Sequence, residues 1–287
     1  MRTATTSIRR ALAGIFLLAP AVAVAQWDAE DYKPHFSYSR QPTLSLFYGF
    51  GSASHDGLTQ PLASPGALEV RVGGTRNRWG NADAQILKSH YEFVTVSTIS
   101  PRLGQMPEAG EISIDLWRFG IGFERGLGYG GDTRDGLAVI LTNSGGLNWT
   151  DFQIRGGVSA PADLELLGRY EGPLRFGNAT EAGVKLRFNR ILVLEGGFER
   201  SIIFPRHLFA KWVGSSLIEL VVQGLLDGFI GKVLHSTPEA APVAAFVLKN
   251  GLSYGFYELR KSRMNWPFSS DAPYLMDTFK VGVTFVF

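Results

Sequence analysis

The chain of 287 residues contains no cysteine, and charged residues make up only 19% of it. Lacking cysteine, it has no disulfides, thiolate metal sites or cysteine nucleophiles. Its charged fraction falls below the roughly 25% usual for soluble domains. Metal-ligand spacing is missing too. The five histidines (His35, His55, His90, His207 and His235) include no His-x-x-x-His pair, so no metal site and no cofactor is expected. The glycine-rich stretch Gly126–Gly131 is followed by Asp132 rather than Lys-Ser/Thr. It therefore reads as a hairpin loop and not as a phosphate-binding loop. What the chain has in quantity is glycine (34) and phenylalanine (20). That pairing fits crowded β-structure and opposes disorder.

The N-terminus carries an export signal. Arg2, Arg9 and Arg10 precede an apolar run, Ala11–Val22, and Ala23-Val24-Ala25 is a small-x-small site. Residues 1–25 are expected to be a signal peptide cleaved before Gln26. The run is shorter than the ~20 residues of a spanning helix. Its removal takes three arginines and no acids, which leaves 25 basic against 26 acidic residues. A mature chain near −1 has no electrostatic case for nucleic acid.

Residues 26–42 read as a polar lead-in, and 43–287 as one β-rich domain. Period-two patterns recur at Leu44–Gly51, Leu68–Gly73, Ile112–Glu124, Glu181–Phe188, Leu192–Glu199 and Phe279–Phe287, with weaker runs at Tyr91–Ser100 and Leu137–Thr142. This predicts eight strands. Ten is the alternative if Phe152–Val158 and Leu164–Tyr170 add a pair. A phase slip at Leu116-Trp117 suggests a β-bulge.

One face of these strands is apolar. The other combines glycine with opposite charges: Glu69, Arg71, Arg118, Glu124, Glu181, Lys185, Arg187, Glu195, Glu199 and Lys280. A soluble sandwich would scatter Lys, Thr and Ser on that face. Small residues beside paired charges suit a narrow lumen, where charges must find partners. The apolar face would then be an outer band facing lipid, and a sheet in lipid must close on itself. The final strand ends at Phe287, with Phe279, Val281, Val283, Phe285 and Phe287 on one face. This resembles the terminal strand of bacterial outer-membrane β-barrel proteins, which the barrel-assembly machinery recognises. The chain broadly resembles the small eight-stranded members, a group that also contains lipid A-modifying enzymes. The resemblance implies an antiparallel up-and-down transmembrane barrel in the bacterial outer membrane, with outer-membrane lipid and the assembly machinery as partners.

Residues 206–262 break the strand pattern. His207–Leu234 reads as a long helix with a wide apolar surface that includes Phe209, Trp212 and Phe229. A single polar stripe (Lys211, Ser215, Glu219, Gln223, Asp227) runs along it. Thr237-Pro238-Glu239 opens a second helix running towards Arg260, although Leu252–Phe256 could be strand. The expected arrangement is an amphipathic hairpin in the membrane interface or against the barrel wall. A helical cap over one barrel mouth and a plug inside the lumen are the alternatives.

Catalytic signals are thin. Ser89-His90 and His235-Ser236 are the weak serine–histidine candidates, and each fits a surface or helix-end reading without chemistry. Glu195 and Glu199 sit about 13 Å apart along a strand, too far for a retaining glycosidase pair. Two polar-aromatic clusters, Asn143–Trp149 and Met264–Phe268, read as ordered loops at a barrel rim. The expected role is a structural, interaction or hydrophobic-ligand-handling envelope protein. The alternatives are an outer-membrane lipid-modifying hydrolase and a small transport channel, and Phe47 with the paired charges counts against an open channel.

Overall fold

A computed structural model describes residues 40–79, 86–130 and 136–287. The expected signal peptide and most of the lead-in lie outside them. Eight strands form a closed barrel in sequence order: β1 (Gln41–His55), β2 (Gly66–Trp79), β3 (Ile86–Ser100), β4 (Ser113–Gly130), β5 (Ala138–Gly156), β6 (Arg175–Arg187), β7 (Leu192–Ile203) and β8 (Tyr274–Val286). β1 pairs antiparallel with both β2 and β8. One row of cross-strand partners runs Pro42, Gly74, Glu92, Phe123, Gly145, Thr180, Arg200, Asp277 and back to Ser52 on β1. It returns ten residues further on, so the strands must tilt steeply to close the barrel.

Alternation decides which side chains go inside. The interior takes Ser45, Glu69, Arg71, Arg118, Glu181 and Lys280, all buried, while Val72, Val94, Trp117 and Phe279 stand exposed on the outer wall. Two interior aromatics depend on glycine across the ladder. A Cβ on Gly282 would lie 2.3 Å from the Phe47 ring, and one on Gly122 would lie 2.5 Å from the Phe93 ring.

Several expectations need correction. The slip at Leu116-Trp117 is not a bulge, because pairing is regular there and shifts only at Ser113/Ile114. The inward face continues unbroken from Ile112, Ile114 and Leu116 to Arg118 and Glu124. What changes is the interior itself, apolar near one mouth and charged further in. The expected extra strand pair is absent: Phe152 extends β5, and the second segment is part of helix α1 (Pro161–Gly168) and its following turn. Gly126–Gly130 and Asn143–Trp149 are strand rather than loop. Met264–Phe268 is a turn beyond the last helix.

The connections at the end bearing the chain terminus are short, whereas those at the other end are long. At the long-loop end α1 closes the mouth. Leu167 and Tyr170 join Ile112, Leu116, Phe152, Tyr274 and Met276 in an apolar cluster. Buried Asp163 accepts hydrogen bonds from the Thr59 amide (3.1 Å), the Thr59 hydroxyl (2.8 Å) and the Gln60 amide (3.0 Å). Burial opposes its charge, but these donors outweigh it and hold the carboxyl below its ordinary value. Gln60 ties the remaining loops together. It donates to the Gly110 and Gly157 carbonyls and accepts from the Ser159 and Ala160 amides.

The insertion between β7 and β8 forms helices α2 (Phe209–Ser236) and α3 (Ala241–Arg260), with a 3-10 turn at Pro238–Ala240 between them. Leu252–Phe256 is helical. The pair neither enters the lumen nor caps the mouth. It leaves from the long-loop end and folds back along the outer wall. Trp212 packs edge-on against Phe176 near that end, and the Tyr129 hydroxyl reaches the Glu239 carbonyl near the other.

Candidate functional site

All ten charges expected in the lumen are buried there. Five carboxylates meet five cations. The Arg71 guanidinium lies 2.5 Å from Glu69 and 2.6 Å from Glu181. Arg118 bonds Glu199 at 2.8 Å and Glu69 at 3.2 Å. Lys280 completes the cluster, 2.5 Å from Glu181 and 2.6 Å from Glu199. Nearer the terminal end, Lys185 bridges Glu124 (2.7 Å) and Glu195 (3.1 Å), and Arg187 donates to the Gly136 carbonyl. The Phe47 and Phe93 rings sandwich the Arg71 guanidinium, each 4.6 Å from it. Beside this network lies a void of about 20 Å³, about room for one water. The interior is neutral and filled, which opposes the channel reading.

Outside the barrel the geometry differs. A crevice of about 490 Å³ opens between the outer wall of β2–β6 and the helical pair. Helix α3 forms one side, held to the wall by Asn250, whose side chain bonds Asn143 at 2.7 Å. Helix α2 forms the roof through Trp212, Ser216, Glu219, Leu220 and Gln223. Its polar stripe faces inward. Ser215 and Glu219 bond Arg260 (3.0 and 2.9 Å), and Asp227 pairs with Lys249 (2.5 Å) and lies 3.8 Å from Arg125. Its outer side is apolar: Leu217, Val221, Leu225 and Phe229, at four-residue spacing, are each more than half exposed. The helical pair thus lies against the barrel wall, one of the two placements expected, with Ser215, Glu219 and Asp227 of the stripe turned towards the wall and α3. Phe209 and Phe229 point outward, whereas Trp212 turns to the wall. No helix among the described residues is long and apolar enough to cross a membrane.

The floor of the crevice is built from register. Val72, Val94, Ile121 and Leu147 are successive cross-strand partners on the outer face. Two outward rows nearer the terminal end, Arg76, His90, Arg125 and Asn143 form a second such set. His90 Nε2 lies 3.1 Å from Glu92, and Arg40 pairs with Glu92 at 2.5 Å.

The weak catalytic candidates do not assemble. Period-two alternation sends Ser89 into the lumen and His90 onto the outer wall, so this pair is split by the sheet. His235 and Ser236 are exposed at the last turn of α2. Among the described residues no group of His, Asp or Glu could hold a metal. The terminal set Phe279, Val281, Val283, Phe285 and Phe287 shares the outer face, with Phe279 beside Phe50 at 5.5 Å between ring centroids. The crevice itself was missed. Its residues belong to separate strands, to a stretch that reads as a rim loop (Asn143–Trp149) and to the helical pair, and no local pattern states that they meet.

No family model matches the chain, and no curated protein matches it. Among solved structures it is similar to Neisserial surface protein A, at 11% identity over 86% of this chain and 97% of that one, with a TM-score of 0.39. Ail, the attachment invasion locus protein of Yersinia pestis, aligns at 9% identity over 87% and 99%, with a TM-score of 0.32. Likeness at this level carries nothing about function, and the barrel rests on its own strand pairing.

Proposed function

We propose that this chain is an outer-membrane protein that takes an amphiphilic ligand from the membrane into the crevice between its barrel wall and its helical pair. The sealed barrel is the scaffold. The observation that carries this reading is the reversed polarity of α2. A helix that turns Glu219 and Asp227 inward and exposes Leu217, Val221, Leu225 and Phe229 is matched to an apolar medium, not to water. The outer wall agrees. Its exposed band carries Leu46, Val70, Val96 and Val281, with aromatics towards both edges (Trp117 and Phe50 at one, Tyr129 and Phe287 at the other). Short turns at the terminal end and long loops at the other fit the same arrangement. A cavity of about 490 Å³ is within the usual range for a small-molecule site. It is floored by aliphatic side chains and opens beside lipid.

The test is lipid retention. The mature chain is purified from the outer-membrane fraction in detergent, and bound lipid is counted by native mass spectrometry. One retained amphiphile, lost in a Leu220→Trp variant that fills the crevice but keeps the heat-dependent gel shift of a closed barrel, is the expected result. A soluble periplasmic protein without that shift would defeat the membrane reading. Equal retention in parent and variant would remove the crevice as the site.

A further inference from the structure

We infer that the ligand is a hydroxyl-headed acyl amphiphile, bound with its head at the inner end of the crevice against Asn178 and its chain running out across the wall to β2. This rests on the crevice reading above and adds the head chemistry and the orientation. The decisive feature is one row of the outer wall. Val72, Val94, Ile121 and Leu147 are followed, on β6, by Asn178. Alternation with the buried inward residues Glu181 and Lys185 turns Asn178 outward, so four aliphatic side chains end on an amide. The Asn178 Oδ1 atom is buried and accepts no hydrogen bond from any described group. A buried acceptor left without a donor is unfavourable. Asn178 lines the crevice, so a ligand lying there can supply the donor.

The two ends of the row differ. Val72 and Val94 are each more than half exposed, and at β2 and β3 the crevice is open. Beyond Asn178 the row reaches Ile202. That residue is buried in a cluster with Tyr257 of α3, against which Trp212 of α2 packs, so the inner end is closed. Neighbouring strands lie about 4.8 Å apart, and the aliphatic stretch from Val72 to Leu147 therefore runs roughly 14 Å. An acyl chain laid on that stretch from the open side brings its head to Asn178. Thr180, the next outward residue of β6, also lines the crevice. The roof does not call for a charged head. Glu219 takes Arg260 through one oxygen at 2.9 Å and the Gln223 amide through the other at 3.1 Å, and Arg260 also donates to Ser215 at 3.0 Å. An ionised carboxylate has acceptors only, whereas a hydroxyl carries the donor that Oδ1 lacks.

The experiment compares monooleoylglycerol with methyl oleate, which has the same chain and no donor, and with ionised oleate in alkaline buffer. Each is offered to the detergent-solubilised mature protein, and retention is read by native mass spectrometry. The parent should hold monooleoylglycerol about tenfold better than either of the others. Asn178→Leu should lose that preference while still holding methyl oleate and still showing the heat-dependent gel shift. Leu220→Trp should lose all three. Equal retention of monooleoylglycerol and methyl oleate by the parent, a preference for oleate, or an unchanged preference in Asn178→Leu overturns the hydroxyl assignment and leaves the crevice reading standing. Retention of none of the three by the parent also overturns it, and the crevice reading then rests on its own comparison of parent and Leu220→Trp.

Discussion

The lumen and the outer crevice use the same side chains to opposite ends. Inside, five carboxylates meet Arg71, Arg118, Lys185 and Lys280 within bonding distance, and two phenylalanine rings close the remaining space around Arg71. Outside, charged pairs such as Asp227 with Lys249 lie beside a cavity some twenty-five times larger than the void in the lumen. A matched and filled network holds a fold together. Charged groups beside empty apolar space are equipped to receive something. Charge type alone does not separate the two; the room around it does.

That contrast can be broken most sharply from the inside. Lys280→Met strands Glu69, Glu181 and Glu199 with two arginines, an uncompensated buried charge that costs about 3–5 kcal/mol. The urea midpoint of the heat-dependent gel shift should fall accordingly, and an unmoved midpoint would mean that the network does not need this cation. Leu225→Arg tests the outer surface. On a lipid-facing helix it should cost about 2–4 kcal/mol, whereas on a water-facing one the change would stay within about 0.5 kcal/mol. Gly282→Ala probes the filling of the lumen, because the added methyl meets the Phe47 ring. Overpacking of this kind costs about 1–3 kcal/mol, and a stable variant would show that Phe47 can move aside.

The smallest effect is local and lies at the closed mouth. The Asp163 carboxyl is held below its ordinary value by Thr59 and Gln60. Its contribution is therefore complete at neutral pH and is lost as pH falls through the lowered value. Hydrogen exchange at the Thr59 and Gln60 amides should speed up on acidification in the parent. In Asp163→Asn it should be fast already at neutral pH, and identical exchange in both proteins would show that the latch does not hold the loop.

Strand residues were legible because a barrel imposes period two on every strand. Glu181–Phe188 falls on the later half of β6 (Arg175–Arg187), and Leu192–Glu199 on the first part of β7 (Leu192–Ile203). The lumen charges were legible for the same reason: Glu69, Lys185 and Lys280 can share a face with glycine only where something must be both narrow and polar. The long helix of the insertion showed in its stripe at four-residue spacing. Ile112–Glu124 misled because alternation reports which face a residue takes and not what that face meets. The switch from apolar to charged interior imitates a slip in phase.

The sequence by itself determined the strands, the inward charges and the helical pair, because each is a periodic property of a short segment. It did not determine where the helical pair lies or which way its stripe turns. Those depend on contacts between residues far apart in the chain, such as Asn143 with Asn250 and Asp227 with Lys249. The second outward set on the wall has the same origin. Arg76, His90 and Arg125 lie on three separate strands, and only the register of the closed sheet sets them side by side.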